Sequence, residues 1–506
     1  MRKDLKQKFI KTEKNLNSKE KSISKNVLLN TVLTLSNFAF PLITYSHVAR
    51  ILGPAGIGKV AFVNSILQYF SYLAILGIPV YGLRECSKLR NDKEALSHLV
   101  QELLVIAIIA TVFSYIGLIG LIFFSETLAE YRPLFIVMGV HIFLNSIGVE
   151  WIYQAYEEYF YITIRSLVFK CISVILTFIL IQNQNSILEY GFITIFASSA
   201  NCIFNFINIR HFISFKKKKK YNLRRHIKAV LILFSASMVI TVYSNFDVVM
   251  LGIISGENEV GIYNTALKIK NILLSLSTAA TSVLIPRISY YIKNKRLDKI
   301  EHLIANTVRI SMLLSVPASI YIFIFAHDVI LFLCGREYLS AISTLRVLIA
   351  CIFPLILTNL FGCQLLIPLG KEKRYTQSVF VGMWINLALN SLLIPHFGAF
   401  GAAIGTFITE IWNVFWMGNG ISEYLSVIFK GICYAKYVIP IVVSGIIVMP
   451  LCFFVQYANC LVRLAITSII FFGTFYFCQI LNGEPLVRCF INRIRKKLMC
   501  EFRDNE

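Results

Sequence analysis

Charge is scarce in this 506-residue chain, and acidic charge is scarcer still. Only 15% of residues are charged, and 27 Asp and Glu, six of them aspartates, face 49 Lys and Arg. A soluble chain of this length would be about a quarter charged. No DxD, GxSxG, HExxH or P-loop string occurs, which weighs against catalysis and against ATP hydrolysis by this chain. No polar stretch is long enough to fold as a catalytic domain, the longest internal loop being 210–228. The twelve cysteines are scattered, mostly inside apolar segments, without a CxxC pair or a histidine at metal spacing. They read as small membrane-compatible hydrophobes, and no metal or cofactor is expected. The first 25 residues lack the apolar core of a secretory signal and read as a disordered basic tail.

What the chain has is apolar length. Hydrophobic residues make up 57% of it and the mean hydropathy is +0.69. They come in blocks near the roughly 20 residues a helix needs to cross a hydrocarbon core of about 30 Å. A helix satisfies every backbone polar group within the segment, so the fold class is an all-α polytopic membrane protein. The blocks predict fourteen spans: 26–49, 61–82, 97–123, 133–154, 159–182, 187–209, 229–254, 262–286, 302–326, 341–367, 377–395, 399–419, 437–457 and 461–481. Of the 49 Lys and Arg, 38 fall in the tails and alternate loops on one side. The other side carries Arg50, Lys59, Arg132 and Arg336. The positive-inside rule then puts both termini in the cytoplasm. The net charge of +22 is thereby explained by topology, without nucleic acid. The run Lys216–Lys220 fits a topology anchor that touches anionic lipid headgroups.

The halves resemble each other. A shift of 203 residues lays Gly58 on Gly261, Gln68 on Asn271, Arg84 on Arg287 and Lys93 on Arg296. Two parallel six-span repeats are the plan of several secondary transporters. The expected domains are a basic tail (1–25), an N-terminal six-helix bundle (26–210), a basic linker (211–228), a C-terminal six-helix bundle (229–419), two extra helices (420–481) and a basic tail (482–506).

Polar residues inside spans carry the functional information, because a charge in the bilayer is costly unless it faces a partner or a wet cavity. Asn264, Lys268, Asn271, Ser275, Thr278 and Ser282 keep one face of a helix polar, as do Thr163, Ser166, Lys170, Ser173 and Thr177. Gln68, His141 with Asn145 one turn on, and Asn386 with Asn390 join the candidate cavity lining. For Ser and Thr alone, helix–helix adhesion is the bland reading, and His141 reads equally well as a satisfied buried histidine. Lys268 is preferred to Lys270 because it lies on the polar stripe. Arg165, Arg309, Arg346 and Arg463, near the membrane faces, read as snorkelling anchors. Lysines in a solvated crevice suit an anionic, hydroxylated ligand and phosphate in particular. Trp151, Tyr153 and Tyr156 suit a sugar face or the membrane interface. Glu410, deep and beside Thr406 and Asn413, is the carboxylate best placed to couple transport to an ion gradient.

The strings ARILGPAGIGKVAF (49–62), GIPVYGLRECSKLRND (77–92), VEWIYQAYEEY (149–159), SNFDVVMLG (244–252) and VGIYNTALKI (260–269) resemble the polysaccharide flippases of the multidrug/oligosaccharidyl-lipid/polysaccharide (MOP) exporter superfamily. The resemblance spans about residues 25–480. It implies two six-helix bundles in the V-shaped arrangement of the multidrug exporters, around a cavity with alternating access. It also implies an undecaprenyl-pyrophosphate-linked oligosaccharide as substrate, moved to the outer leaflet of the bacterial inner membrane for O-antigen or capsule. Polymerase and chain-length proteins of the same pathway would then be partners. Asp247 falls on the family's NFD aspartate, a second coupling candidate, and Arg84 and Glu150 fall on its GLRE and EWIYQ positions. The alternatives are a multidrug or lipid II exporter of the same superfamily, or a membrane glycosyltransferase or polymerase.

Overall fold

The computed structural model describes residues 23–216, 220–282, 288, 290–292, 294, 296–425, 432–454 and 459–488. The predicted tails 1–25 and 482–506, the centre of the Lys216–Lys220 run, Arg287, the ends of the spans at 262–286 and 437–457, and part of the loop 420–436 fall wholly or partly outside those residues, as does the side chain of Ser282. Helices dominate: α1 (Ile23–Ile75), α2 (Ile78–Lys88), α3 (Lys93–Phe124), α4 (Arg132–Ser146), α5 (Glu150–Ala155), α6 (Tyr159–Leu180), α7 (Ile187–Asn208), α8 (Arg224–Ile254), α9 (Glu257–Ser282), α10 (Leu297–Ile324), α11 (Ala326–Leu333), α12 (Ala341–Ala350), α13 (Ile352–Asn359), α14 (Glu372–Gly418), α15 (Ala435–Phe454) and α16 (Cys460–Leu481). Among the described residues no strand occurs.

Ten stretches of helix among the described residues are long and apolar enough to cross a membrane. Two of them, Ile43–Lys88 and Glu372–Gly418, contain 46 and 47 residues. Either would be ~70 Å long if straight, over twice the hydrocarbon thickness. Each is divided at a glycine whose backbone is closed to other residues, Gly53 (φ 65°, ψ 178°) and Gly398 (φ 52°, ψ −131°). At the second corner the Ala399 N–H donates to Glu259 Oε2 at 2.7 Å, so a carboxylate caps the new helix start. The predicted span 133–154 is interrupted between α4 and α5, where Val149 takes φ 39°. The predicted span 341–367 ends in a π-helical turn, Leu360–Leu366.

The chain divides into two units. Unit 1 comprises Met1–Ile43, Leu67–Ile181 and Leu188–Met238; unit 2 comprises Thr44–Ile66, Gln182–Ile187 and Val239–Glu506. In unit 1 the packing of α6 is inside out relative to a soluble helix. Thr163, Ser166, Lys170, Ser173 and Thr177 are buried, whereas Ile164, Val168, Ile175 and Phe178 are exposed. Such a helix is stable only where its surroundings are apolar.

In unit 2 the repeat-related glycines meet. A methyl group on Gly58 would lie 1.7 Å from the Glu257 carbonyl oxygen, and one on Gly261 would lie 1.9 Å from the Pro54 carbonyl oxygen. Pro54 and Glu257 are themselves related by the 203-residue shift, so the contact is reciprocal. Small residues let two backbones approach this closely, as in other membrane helix pairs. The internal repeat is thus expressed as a local two-fold crossing.

Candidate functional site

In unit 1, Lys170 is buried near the middle of α6 and donates to Ser36 Oγ at 2.6 Å, while Ser36 donates to the Leu33 carbonyl. His141 is buried on α4, its Nδ1 2.5 Å from Ser199 Oγ on α7. Asn145 donates to Ser71 Oγ at 2.8 Å. Gln68 is half-buried. Arg84 is on the exposed side of α2, with Nε 3.0 Å from Glu85 Oε1.

In unit 2, Lys268 is half-buried, its Nζ 3.9 Å from the centre of the Tyr45 ring, a cation–π distance. The Tyr45 hydroxyl reaches Thr265 Oγ1 at 2.7 Å. Asn264 and Asn271 are half-buried on the same helix. Ser275 and Thr278 bond carbonyls of their own helix, at 2.6 and 3.3 Å, which fits the bland reading of hydroxyl stripes.

The two predicted carboxylates lie in one buried polar network. Asp247 Oδ2 accepts from the Tyr263 hydroxyl at 2.5 Å and from Thr406 Oγ1 at 2.8 Å, and its Oδ1 accepts from Asn390 Nδ2 at 2.6 Å. Asn390 also donates to Asn386 Oδ1 at 3.1 Å, and its own Oδ1 is buried without a hydrogen-bond partner among the described residues. One turn before Asp247, Tyr243 donates to Glu410 Oε1 at 2.6 Å, and Thr358 donates to Oε2 at 3.1 Å. Asn413 donates to the Tyr243 hydroxyl at 3.3 Å and accepts from Ser378 at 2.9 Å. Hydrogen bonds to an ionised carboxylate contribute about 1.5–3 kcal/mol each in soluble proteins, and side-chain bonds between membrane helices average about 0.6 kcal/mol. The cluster therefore holds its carboxylates in place without locking four helices irreversibly.

Several residues escaped sequence reasoning. Lys270, passed over for Lys268, is the more buried of the pair and lies within electrostatic range of Glu410. Its signal was available, since it is a lysine near the middle of a span. Tyr243 and Tyr263 hold the carboxylates, and nothing in their local sequence distinguishes them from other membrane tyrosines. In unit 1, fully buried Glu102 accepts from Asn222 N at 2.5 Å, from Arg225 and from His226 Nε2 at 2.9 Å. His226 Nδ1 in turn meets the Tyr81 hydroxyl at 2.8 Å. These bonds clamp the start of α8 to α3 beside a cleft of about 910 Å³.

One predicted snorkelling anchor, Arg165, is corrected, and a second, Arg463, gains a partner. Arg165 is buried, with Glu150 Oε2 3.8 Å from its NH2, because α5 packs over that end of α6. Arg463 forms a close ion pair with Asp328 on α11. Trp151 and Tyr153 are buried and so form no rim.

These elements, long helices with apolar exteriors and buried polar side chains, define a polytopic α-helical membrane fold. The chain belongs to the polysaccharide biosynthesis protein family, whose profile matches residues 23–292, and the profile of the multidrug exporters (MatE) matches residues 233–392. It is 24% identical over 400 residues to an Escherichia coli (strain K12) protein named as an O-antigen transporter, covering 78% of this chain and 95% of that one. Its fold is similar to that of the lipid II flippase MurJ in an inward closed conformation (TM-score 0.65, 14% identity, 88% of this chain and 99% of that one). It is also similar to an inward-facing multidrug resistance MATE transporter of the MOP superfamily (TM-score 0.61, 16% identity, 78% and 96%). Together the family match and these relatives support a membrane flippase of the MOP superfamily.

Proposed function

We propose that the chain moves undecaprenyl-pyrophosphate-linked oligosaccharide repeat units from the cytoplasmic to the outer leaflet of the bacterial inner membrane by alternating access, with fourteen crossings and both termini cytoplasmic. The observation that carries this reading is the burial of cations within spans, Lys170 on the inward polar face of α6 in unit 1 and Lys270 on α9 in unit 2. Their charge suits a pyrophosphate headgroup rather than the cationic drugs of multidrug exporters. The names of the relatives, O-antigen transporter and glycan biosynthesis flippase, support the same substrate class. The cavity set proposed is Lys170, Lys268, Gln68, Asn264, Asn271, His141, Arg84 and Asn390.

The energy source is proposed to be an ion gradient read by Asp247 and Glu410. Asp247 and Thr406 hold oxygen atoms 2.8 Å apart, and Asn390, bonded to Asp247 through Nδ2, keeps a buried Oδ1 without a partner among the described residues; oxygen is the donor type that suits hard cations. A proton or monovalent cation bound there in one access state and not the other would bias the cycle by its differential affinity. The test is reconstitution into proteoliposomes with a fluorescent undecaprenyl-pyrophosphate oligosaccharide in the inner leaflet. Protein-dependent accessibility to an external quencher or glycosidase is expected. Movement of cationic dyes without movement of the lipid-linked sugar would overturn the reading.

A further inference from the structure

Arg165 is a physical anomaly in unit 1. All three of its guanidinium nitrogens are buried, and none has a hydrogen-bond partner among the described residues. Five donors are thus out of water and unmet, a costly state for a group that stays charged. What surrounds it is arranged to favour a cation. The Tyr161 ring lies 5.1 Å from its Cζ, and Tyr161 stacks on Tyr153 with ring centres 5.2 Å apart. Beside Tyr153 is Asn205, fully buried, whose carbonyl accepts the Tyr153 hydroxyl at 2.7 Å while both atoms of its side-chain amide are unpartnered.

The nearest anion is Glu150, and it holds its place loosely. Its Oε2 is 3.8 Å from Arg165 NH2, beyond hydrogen-bond range, and its other oxygen accepts from Gln154 at 3.2 Å. Its side chain is 39% exposed where that of Arg165 is 7% exposed. Glu150 therefore has a route outward and Arg165 has none. Lys170 is also within electrostatic range of Glu150, so one carboxylate faces two cations.

We infer that Glu150 is an internal placeholder, and that Arg165 with Lys170 is an exchangeable site for a phosphate- or pyrophosphate-bearing group that displaces it. A planar guanidinium suits bidentate phosphate binding, and the displaced carboxylate moves into solvent. The inference rests on the proposed function only for the identity of the physiological ligand.

The experiment uses the full-length chain in detergent, titrated with inorganic pyrophosphate at constant ionic strength, with affinity read by calorimetry and by thermal shift. The native chain is expected to bind. Arg165→Leu should lose at least about tenfold in affinity, with Arg165→Lys intermediate, and Glu150→Gln should gain about tenfold as the competitor is removed. Without pyrophosphate, Arg165→Leu should melt no lower than the native chain, since an unmet buried charge has gone. No binding by the native chain, or the native affinity in both Arg165→Leu and Glu150→Gln, would overturn the site. If Arg165→Leu does not fold, Glu150→Gln decides alone, and an unchanged or weaker affinity overturns it. A polyprenyl-pyrophosphate oligosaccharide that competes with inorganic pyrophosphate identifies a lipid headgroup as ligand, whereas simultaneous binding identifies free pyrophosphate; either supports the site. A native chain that binds pyrophosphate through Arg165 yet flips no lipid-linked sugar sinks the substrate reading and leaves the site standing.

Discussion

Alanine at Gly261 would place its methyl carbon 1.9 Å from the Pro54 carbonyl oxygen. A carbon and a carbonyl oxygen need about 3.3 Å even in a favourable C–H···O contact. The shortfall is therefore ~1.4 Å. No side chain can swing away to absorb it, because the obstructing atom is backbone. The two helices must separate, and gaps of about 0.5–1 Å already forfeit a quarter to a half of each dispersion contact along a seam. Overpacking of this kind costs about 1–3 kcal/mol, and a backbone obstruction points to the upper end, about 3 kcal/mol. Gly58→Ala meets the Glu257 carbonyl at 1.7 Å and should cost as much. Because both glycines belong to one crossing, the helices need separate only once. The double variant should then cost about 1–3 kcal/mol less than the sum of the singles. The assay is a double-mutant cycle on the detergent-solubilised chain, followed by reversible denaturant unfolding. Single variants within about 0.5 kcal/mol of native, or costs that simply add, would refute the shared crossing.

Asp247→Asn and Glu410→Gln should each abolish gradient stimulation of transport in proteoliposomes while basal movement persists; full stimulation in both would remove these carboxylates from coupling. Lys170→Ala should cut export by at least about tenfold at native expression levels, with Arg rescuing better than Gln, and native export by the alanine variant would refute a demand for charge. A cysteine at position 220 in a cysteine-depleted background should resist an impermeant thiol reagent on intact cells, and labelling there would overturn the proposed topology.

Helix positions were legible because bilayer thickness sets a length that composition reveals directly. The polar stripe of α6 was legible too, since Thr163 to Thr177 recur at intervals of three and four and all face inward. The same logic misjudged Arg165, as depth along a helix does not reveal what packs beside it, and α5 covers that end. It also ranked Lys268 over Lys270. A stripe argument assumes one buried face, whereas α9 packs against α10, α12, α13 and α14 and has several. The phenols that hold Asp247 and Glu410 depend on partners up to 167 residues apart, a separation that local pattern does not encode.

The clamp on Glu102 bears on how the chain can be cut. Asn222, Arg225 and His226 follow the lysine run in sequence but are bonded to a helix that precedes it. A break introduced at 216–220 would leave those three residues at the head of the downstream fragment and their receptor within the upstream one. Two polypeptides translated from separate reading frames would each carry half of a mating contact, and the natural chain supplies the adhesive for a split, reassembling exporter.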